Sequence, residues 1–273
     1  MAHVIAVLNQ KGGTSKTTSS VALAGRFAAM GKNVLLLDVD PQANTTLALG
    51  IDAVQVEKST YDILVRDARL DDVITSTPIP KLHLAPGKVE LSRTDINLAD
   101  RQRKQFKLKD ALKAVADRYE YVIIDCPPSF GLIPVNALVA ANGVIIPLVP
   151  GFFALEGLKQ VQGSIDNIRR ELNPQLTITG ILFSMVNPRL KITQPAIDMV
   201  RAHYQDQVFK TMIHVCSQLN ESQVMGKSIF EYAPRSKAAV EYIALADEVI
   251  ERTGGLRVDR GALAALKQIF HLS

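Results

Sequence analysis

The chain has 273 residues, 47% of them hydrophobic and 21% charged, which suits one large domain with an ample buried core. No apolar run approaches the ~20 residues of a membrane span, and the N-terminus enters a first strand at once, so neither a signal peptide nor an N-terminal DNA-binding domain is expected. The net charge of +4 permits an anionic partner without demanding one, and Cys126 and Cys216 have neither metal-ligand nor redox spacing, which points to a reducing cytoplasm.

In chain order, residues 4–8 form an apolar run that reads as a strand. It leads into Asn9-Gln10-Lys11-Gly12-Gly13-Thr14-Ser15-Lys16-Thr17-Thr18 and then a helical pattern over 16–30. A strand, a glycine turn, and Lys-Thr at a helix start form the context of a phosphate-binding loop. The first N–H groups of a helix lack intrahelical partners and face an anion. Glycines let the backbone wrap phosphate oxygens closely. Lys16 supplies charge to the β- and γ-phosphates, and the Thr17 hydroxyl is suited to Mg²⁺. The residues expected to touch the nucleotide are Lys11, Gly12, Gly13, Thr14, Ser15, Lys16, Thr17 and Thr18. Ser15 stands where such loops usually carry Gly, and a left-handed conformation there costs a non-Gly residue about 1–2 kcal/mol.

A second strand, 33–37, runs into Asp38-Val39-Asp40-Pro41-Gln42. Carboxylates two residues apart on an extended chain project the same way. At a strand end facing phosphates they can orient a metal-bound water and an attacking water, with Asp38 nearer the metal. Residues 50–80 read as a polar, irregular, mobile insertion. A third strand is expected over 82–85 and a helix over 106–118. The fourth strand, 121–125, closes on Asp125 before Cys126-Pro127-Pro128-Ser129. An acid closing an apolar strand is the Walker B arrangement for Mg²⁺. The Pro-Pro-Ser that follows opens a loop able to feel a γ-phosphate. A helix over 134–141, a strand over 143–148, a helix over 154–172, a strand over 179–185 and a helix over 236–252 complete the pattern. The alternation predicts an α/β fold, a mainly parallel twisted sheet with helices on both faces and its ligand at the carboxyl ends of the strands. Residues 1–255 are expected to form one P-loop domain and 256–273 a helical tail.

Lys11, standing before the glycine pair in a loop that also carries Lys16, resembles the deviant Walker A loop of the ParA/MinD superfamily. There the first lysine reaches across a nucleotide-sandwich dimer to the partner's phosphates. The phrase from Asp38 to Gln42 is similar to the switch I element of ParA-type ATPases, which implies that Asp40 positions or activates water. The stretch from Gly180 to Arg189 resembles the strand and loop near the adenine and implies Asn187 as an ATP contact. Gly226-Lys227-Ser228-Ile229, the run from Ala233 to Ala239, and the helix through Tyr242 and Glu248 resemble the C-terminal signature. The likeness spans about residues 3–252. It implies a slow, partner-stimulated ATPase using ATP and Mg²⁺, with Lys11, Lys16 and Asp40 catalytic and Thr17, Asp38 and Asp125 at the metal. It further implies an ATP-dependent homodimer that binds nonspecific DNA, an activating adaptor of ParB or cargo-adaptor type, and a cytoplasmic, nucleoid-associated role in plasmid or chromosome partition. Arg189, Lys191, Lys227, Arg235 and Lys237 are the candidate phosphate contacts; such binding needs Lys/Arg geometry and no base readout.

One segment departs from the family. Its Pro-Arg-Asn-Val-Arg-Leu is replaced by His214-Val215-Cys216-Ser217-Gln218-Leu219, with Gln218 at a family DNA contact. This implies a DNA surface rebuilt elsewhere or weakened. It also fits relatives that position protein cargo, such as carboxysomes, on the nucleoid. A membrane-associated division-site regulator of the MinD kind is the second alternative. It would use the tail, where Leu263, Leu266, Ile269 and Phe270 fall at helical spacing with Arg257, Arg260 and Lys267. The sparse basic face favours packing on the protein over membrane binding. An iron–sulfur reductase is rejected because Cys126 and Cys216 cannot supply the cluster. A tyrosine autokinase is rejected because no tyrosine follows Tyr242, and an arsenite-pump ATPase because there is neither a duplicated domain nor a thiol cluster.

Overall fold

The computed structural model describes residues 2–254. The strands are β1 (His3–Val7), β2 (Val34–Asp38), β3 (Thr75–Ser76), β4 (Leu82–Ala85), β5 (Tyr121–Asp125), β6 (Gly143–Leu148) and β7 (Thr177–Phe183). They form one seven-stranded sheet in the order β3-β4-β2-β5-β1-β6-β7. All pairings are parallel except that of the short edge strand β3 with β4. The helices are α1 (Lys16–Ala29), α2 (Asn44–Ala48), α3 (Thr60–Val65), α4 (Thr94–Asn97), α5 (Lys107–Lys113), α6 (Leu132–Ala140), α7 (Ala154–Glu171), α8 (Thr193–Tyr204), α9 (Ser217–Val224), α10 (Ile229–Tyr232) and α11 (Lys237–Arg252).

Side chains of a strand alternate between faces, so each central strand feeds two cores. Val4, Ala6, Leu35, Leu37, Val122, Ile124, Val144 and Ile146 pack with α3, α5, α6, α7 and α8. Ile5, Val7, Val34, Leu36, Ile123 and Ile145 pack with α1, α9, α10 and α11. Both faces are covered, which explains why β2 and β5 read as unbroken apolar runs. Phe27 of α1 stacks on Tyr121 of β5 with ring centroids 4.2 Å apart, fixing the helix over the sheet. Full burial of one such side chain stabilises by roughly 1.5–3 kcal/mol.

The expected strands all form, shifted by one residue in β1 and β2 and by two in β7. Residues 50–80 need correction. They are not a mobile insertion: Ser59 and Asp62 make a reciprocal capping box, and residues 60–64 are buried. Thr60 Oγ1 donates to the Asp38 carbonyl at 2.6 Å, tying this segment to the end of β2. Helices α2, α3, α4, α8, α9 and α10 and the short edge strand β3 were not expected, and the helix expected over 106–118 ends as α5 at Lys113. Pro195 lies in the first turn of α8, where a missing N–H breaks no intrahelical bond. The tail, 256–273, lies outside the described residues.

Candidate functional site

The phosphate-loop sequence leaves β1 at the centre of the sheet and is pinned on both sides. Buried Asn9 donates to the Pro147 carbonyl at 2.7 Å and accepts from the Lys11 N–H at 3.0 Å. Ser184, just past β7, donates to the Thr14 carbonyl at 2.9 Å. Gly13 has φ 69° and Ser15 φ 63°, so the left-handed turn falls on Ser15 itself. The loop then becomes α1 at Lys16, whose first-turn N–H groups face away from the helix body. A Cβ built on Gly12 or Gly13 meets nothing within 4 Å, so open space lies beside the loop. Lys16 is 7% exposed and its Nζ donates to the Lys11 carbonyl at 3.1 Å. Burial lowers the Lys16 pKa, while Asp125 and Asp40 pull it back up. Lys11, by contrast, is exposed.

Beside this loop stand two carboxylates with no exposed surface. Asp38 ends β2 and Asp125 ends β5, directly opposite each other in register. Asp125 accepts three hydroxyls: Thr17 at 2.7 Å, Thr45 at 2.7 Å and Ser20 at 3.1 Å. Asp38 accepts the Thr46 N–H at 2.9 Å, the Thr46 hydroxyl at 2.7 Å and the Asp40 N–H at 3.2 Å. Burial, then the neighbouring Asp125, pushes the Asp38 carboxyl up to about 7. Burial pushes Asp125 up to about 6 against the lowering pull of its hydroxyl donors. Two buried carboxyls side by side relieve their repulsion either by holding a proton or by binding a cation. Among the described residues no group of three or more His, Cys, Asp or Glu gathers to hold a metal ion. Mg²⁺ takes one or two carboxylates and completes its shell with phosphate and water oxygens, a demand that Asp125 and Asp38 can meet. Asp40 lies past the strand end, 6% exposed, with Oδ1 accepting the Gln42 N–H at 2.9 Å. Cys126 is fully buried, and burial raises its thiol pKa well above the ordinary value, so it is an inert core group.

The fold brings Lys11 to Thr18, Asp38, Asp40 and Asp125 to one edge of the sheet. Asn187 lies on the same edge, half-buried, its Oδ1 accepting the Arg189 N–H and its carbonyl accepting the Thr193 hydroxyl. The five basic candidates are more dispersed. Arg189 and Lys191 are exposed in the loop between β7 and α8, and Arg235 is exposed before α11. Lys227 pairs with Glu231 at 3.4 Å and Lys237 with Glu241 at 3.7 Å. Glu241 also binds His214 Nδ1 at 2.6 Å, and residue 214 bridges to Val186, so Lys237 neighbours the loop of Arg189. Gln218 is exposed in the first turn of α9.

Sequence reasoning missed Thr45, Thr46, Ser20 and Gly87. Thr46 Oγ1 also accepts the Gly87 N–H at 2.9 Å. A Cβ on Gly87 would stand 2.8 Å from the Asp38 carboxyl carbon, which only glycine avoids. The available signals were the Thr-Thr pair soon after Asp40-Pro41-Gln42, and Pro86-Gly87 at the carboxyl end of β4.

A family model described as an AAA domain matches residues 2–178. The chain is 43% identical to the sporulation initiation inhibitor protein Soj of Bacillus subtilis over 249 residues, 91% of this chain and 98% of that protein. It is 39% identical to the chromosome partitioning protein ParA of Caulobacter vibrioides, over 96% of this chain and 98% of that one. The fold superposes on the septum site-determining protein MinD of Pyrococcus horikoshii, solved with Mg-ADP, with a TM-score of 0.78 and 27% identity, covering 95% of this chain and 100% of that one. This chain belongs to the AAA-domain family and, within it, to the ParA/Soj branch of the ParA/MinD-type ATPases.

Proposed function

We propose that this protein is an ATP-driven partition switch: two subunits close around two nucleotides, the closed dimer binds DNA without sequence preference, and hydrolysis releases it. The observation that carries the reading is the site's division of labour. Lys16 is buried in its own loop, whereas Lys11, five residues earlier, is exposed on the same loop. An internal lysine suffices for the chain's own phosphates, and an exposed one on the same loop is free to serve a second subunit. Around it the same edge exposes apolar side chains that a monomer has no use for: Phe130 after β5, Phe152 and Phe153 after β6, and Met185 after β7.

In this reading the first turn of α1 and the Gly12-Gly13 turn hold the phosphates by N–H donation, with Lys16 neutralising their charge. Asn187, at the same edge of the sheet, is assigned to the adenine. Thr17 and Asp125, with Asp38 behind them, would hold Mg²⁺, which when bound offsets the charge of the phosphates. Asp40, off the strand end and outside the cluster of buried hydroxyls, orients the attacking water. Arg189, Lys191, Lys227, Arg235 and Lys237 supply the DNA surface, with Arg189, Lys191 and Arg235 contributing most, because no carboxylate among the described residues pairs with them. An adaptor protein stimulates hydrolysis, and the nucleoid in the cytoplasm is the place of action. The identity to Soj and ParA over nearly the whole chain supports partition as the role.

Light scattering with ATP and with ADP tests the dimer. With Asp40→Ala added to slow turnover, ATP should give a dimer and ADP a monomer. Lys11→Ala in that background should keep nucleotide affinity within about threefold while the dimer is lost. A full dimer without Lys11 would refute its role across the interface.

A further inference from the structure

The first turn of α2 puts two fully buried threonines against the two carboxylates. Thr46 holds Asp38 by N–H and hydroxyl, and Thr45 donates its hydroxyl to Asp125 Oδ2 at 2.7 Å. Thr17 donates to that same oxygen at 2.7 Å, and Ser20 to the other at 3.1 Å. A carboxylate has about four lone-pair sites, so these three donors leave one. Thr17 and Ser20 both belong to α1, the helix of the phosphate loop. Thr45 alone comes from elsewhere, the segment that follows Asp40. That segment is itself held in an unusual shape, since Ala43 has φ 52°, a conformation most L residues resist. The Thr45 hydroxyl is therefore the side-chain link between Asp125 and the backbone that carries Asp40.

We propose that Thr45 is a positioning residue for Mg²⁺. By donating to Asp125 it fixes the carboxylate that holds the ion, and it makes metal affinity depend on the order of the segment after Asp40. The proposal rests on the reading of Asp125 and Thr17 as the metal's holders. Oxygen donors, buried negative charge and a free lone pair on Asp125 fit that reading. Loss of a hydrogen-bond partner behind a metal ligand typically weakens metal binding by about 10–100-fold.

The test is the affinity of a fluorescent ADP analogue, measured in EDTA and across a Mg²⁺ series, for wild type, Thr45→Val and Thr45→Ser. Thr45→Val should need at least about tenfold more Mg²⁺ for half of the magnesium-dependent gain. Its affinity in EDTA should stay within about twofold of wild type. Thr45→Ser, which keeps the hydroxyl, should restore the wild-type midpoint. A Thr45→Val midpoint within about twofold of wild type overturns the proposal, as does a Thr45→Ser midpoint displaced as far as that of Thr45→Val. Circular dichroism checks folding; if Thr45→Val does not fold, Thr45→Ala takes its place with the same two outcomes. A wild type whose affinity ignores Mg²⁺ refutes the metal site itself and this proposal with it, an outcome distinct from a wild-type response that Thr45→Val leaves unmoved.

Discussion

Gly87→Ala is a small change with a large expected effect. A Cβ at this position would stand 2.8 Å from the Asp38 carboxyl carbon, 2.9 Å from its Oδ1 and 3.1 Å from its backbone carbonyl oxygen. Asp38 has nowhere to go. Its side-chain oxygens are held by Thr46 and by the Asp40 N–H, its carbonyl by Thr60, and Asp125 stands opposite on β5. The methyl must rotate the carboxylate or push the β4 loop away, and the second course also breaks the bond from the Gly87 N–H to Thr46. Overpacking costs about 1–3 kcal/mol, and a strained hydrogen bond to a charged group adds about 1.5–3 kcal/mol when it is lost. A total of about 2.5–6 kcal/mol, at roughly 2–4 °C per kcal/mol for a chain of this size, lowers Tm by about 5–24 °C. Calorimetry in nucleotide-free buffer reads this, with Gly151→Ala as the control, because a Cβ there meets nothing within 4 Å. A Gly87→Ala melt within about 2 °C of wild type would refute the claim that Asp38 is clamped.

Ser15→Gly removes a left-handed non-Gly residue, worth about 1–2 kcal/mol, at an unfolded-chain entropy cost of about 0.5–1 kcal/mol. The net of about 0–1.5 kcal/mol raises Tm by up to about 6 °C, and a fall in Tm would show that the Ser15 side chain is needed in the loop. Asp40→Ala should reduce phosphate release by at least about 100-fold, the scale of a lost general-base or water-orienting group, with ATP affinity retained. An unchanged rate removes Asp40 from the mechanism.

The loop, Asp38 and Asp125 were legible as a set, because a glycine turn before Lys-Thr and two acid-ended apolar runs follow one another in chain order, whereas any one of them alone is weak evidence. Ser15 was legible with them: its conformation follows from its place before the loop lysine. What stayed hidden is what the topology brings together. Thr45 is separated from Asp125 by 80 residues and Gly87 from Thr46 by 41, and nothing local marks either pair. Residues 50–80 misled because polar composition resembles a surface loop, while the capping box at Ser59 and the buried face of α3 depend on the end of β2. The basic residues are the least legible group. Lys227 and Lys237 each stand four residues before a glutamate, a spacing visible in the sequence, and the fold brings each pair within 4 Å.

In the proposed switch, nucleotide state controls attachment to DNA. Binding of the purified protein to a nonspecific duplex, with ATP and with ADP across a salt series, tests it most directly. Binding is expected with ATP only, weakening with salt at a log–log slope of about −3 or steeper, as contact with several phosphates requires. Equal binding in the two nucleotide states, or none in either, would contradict it.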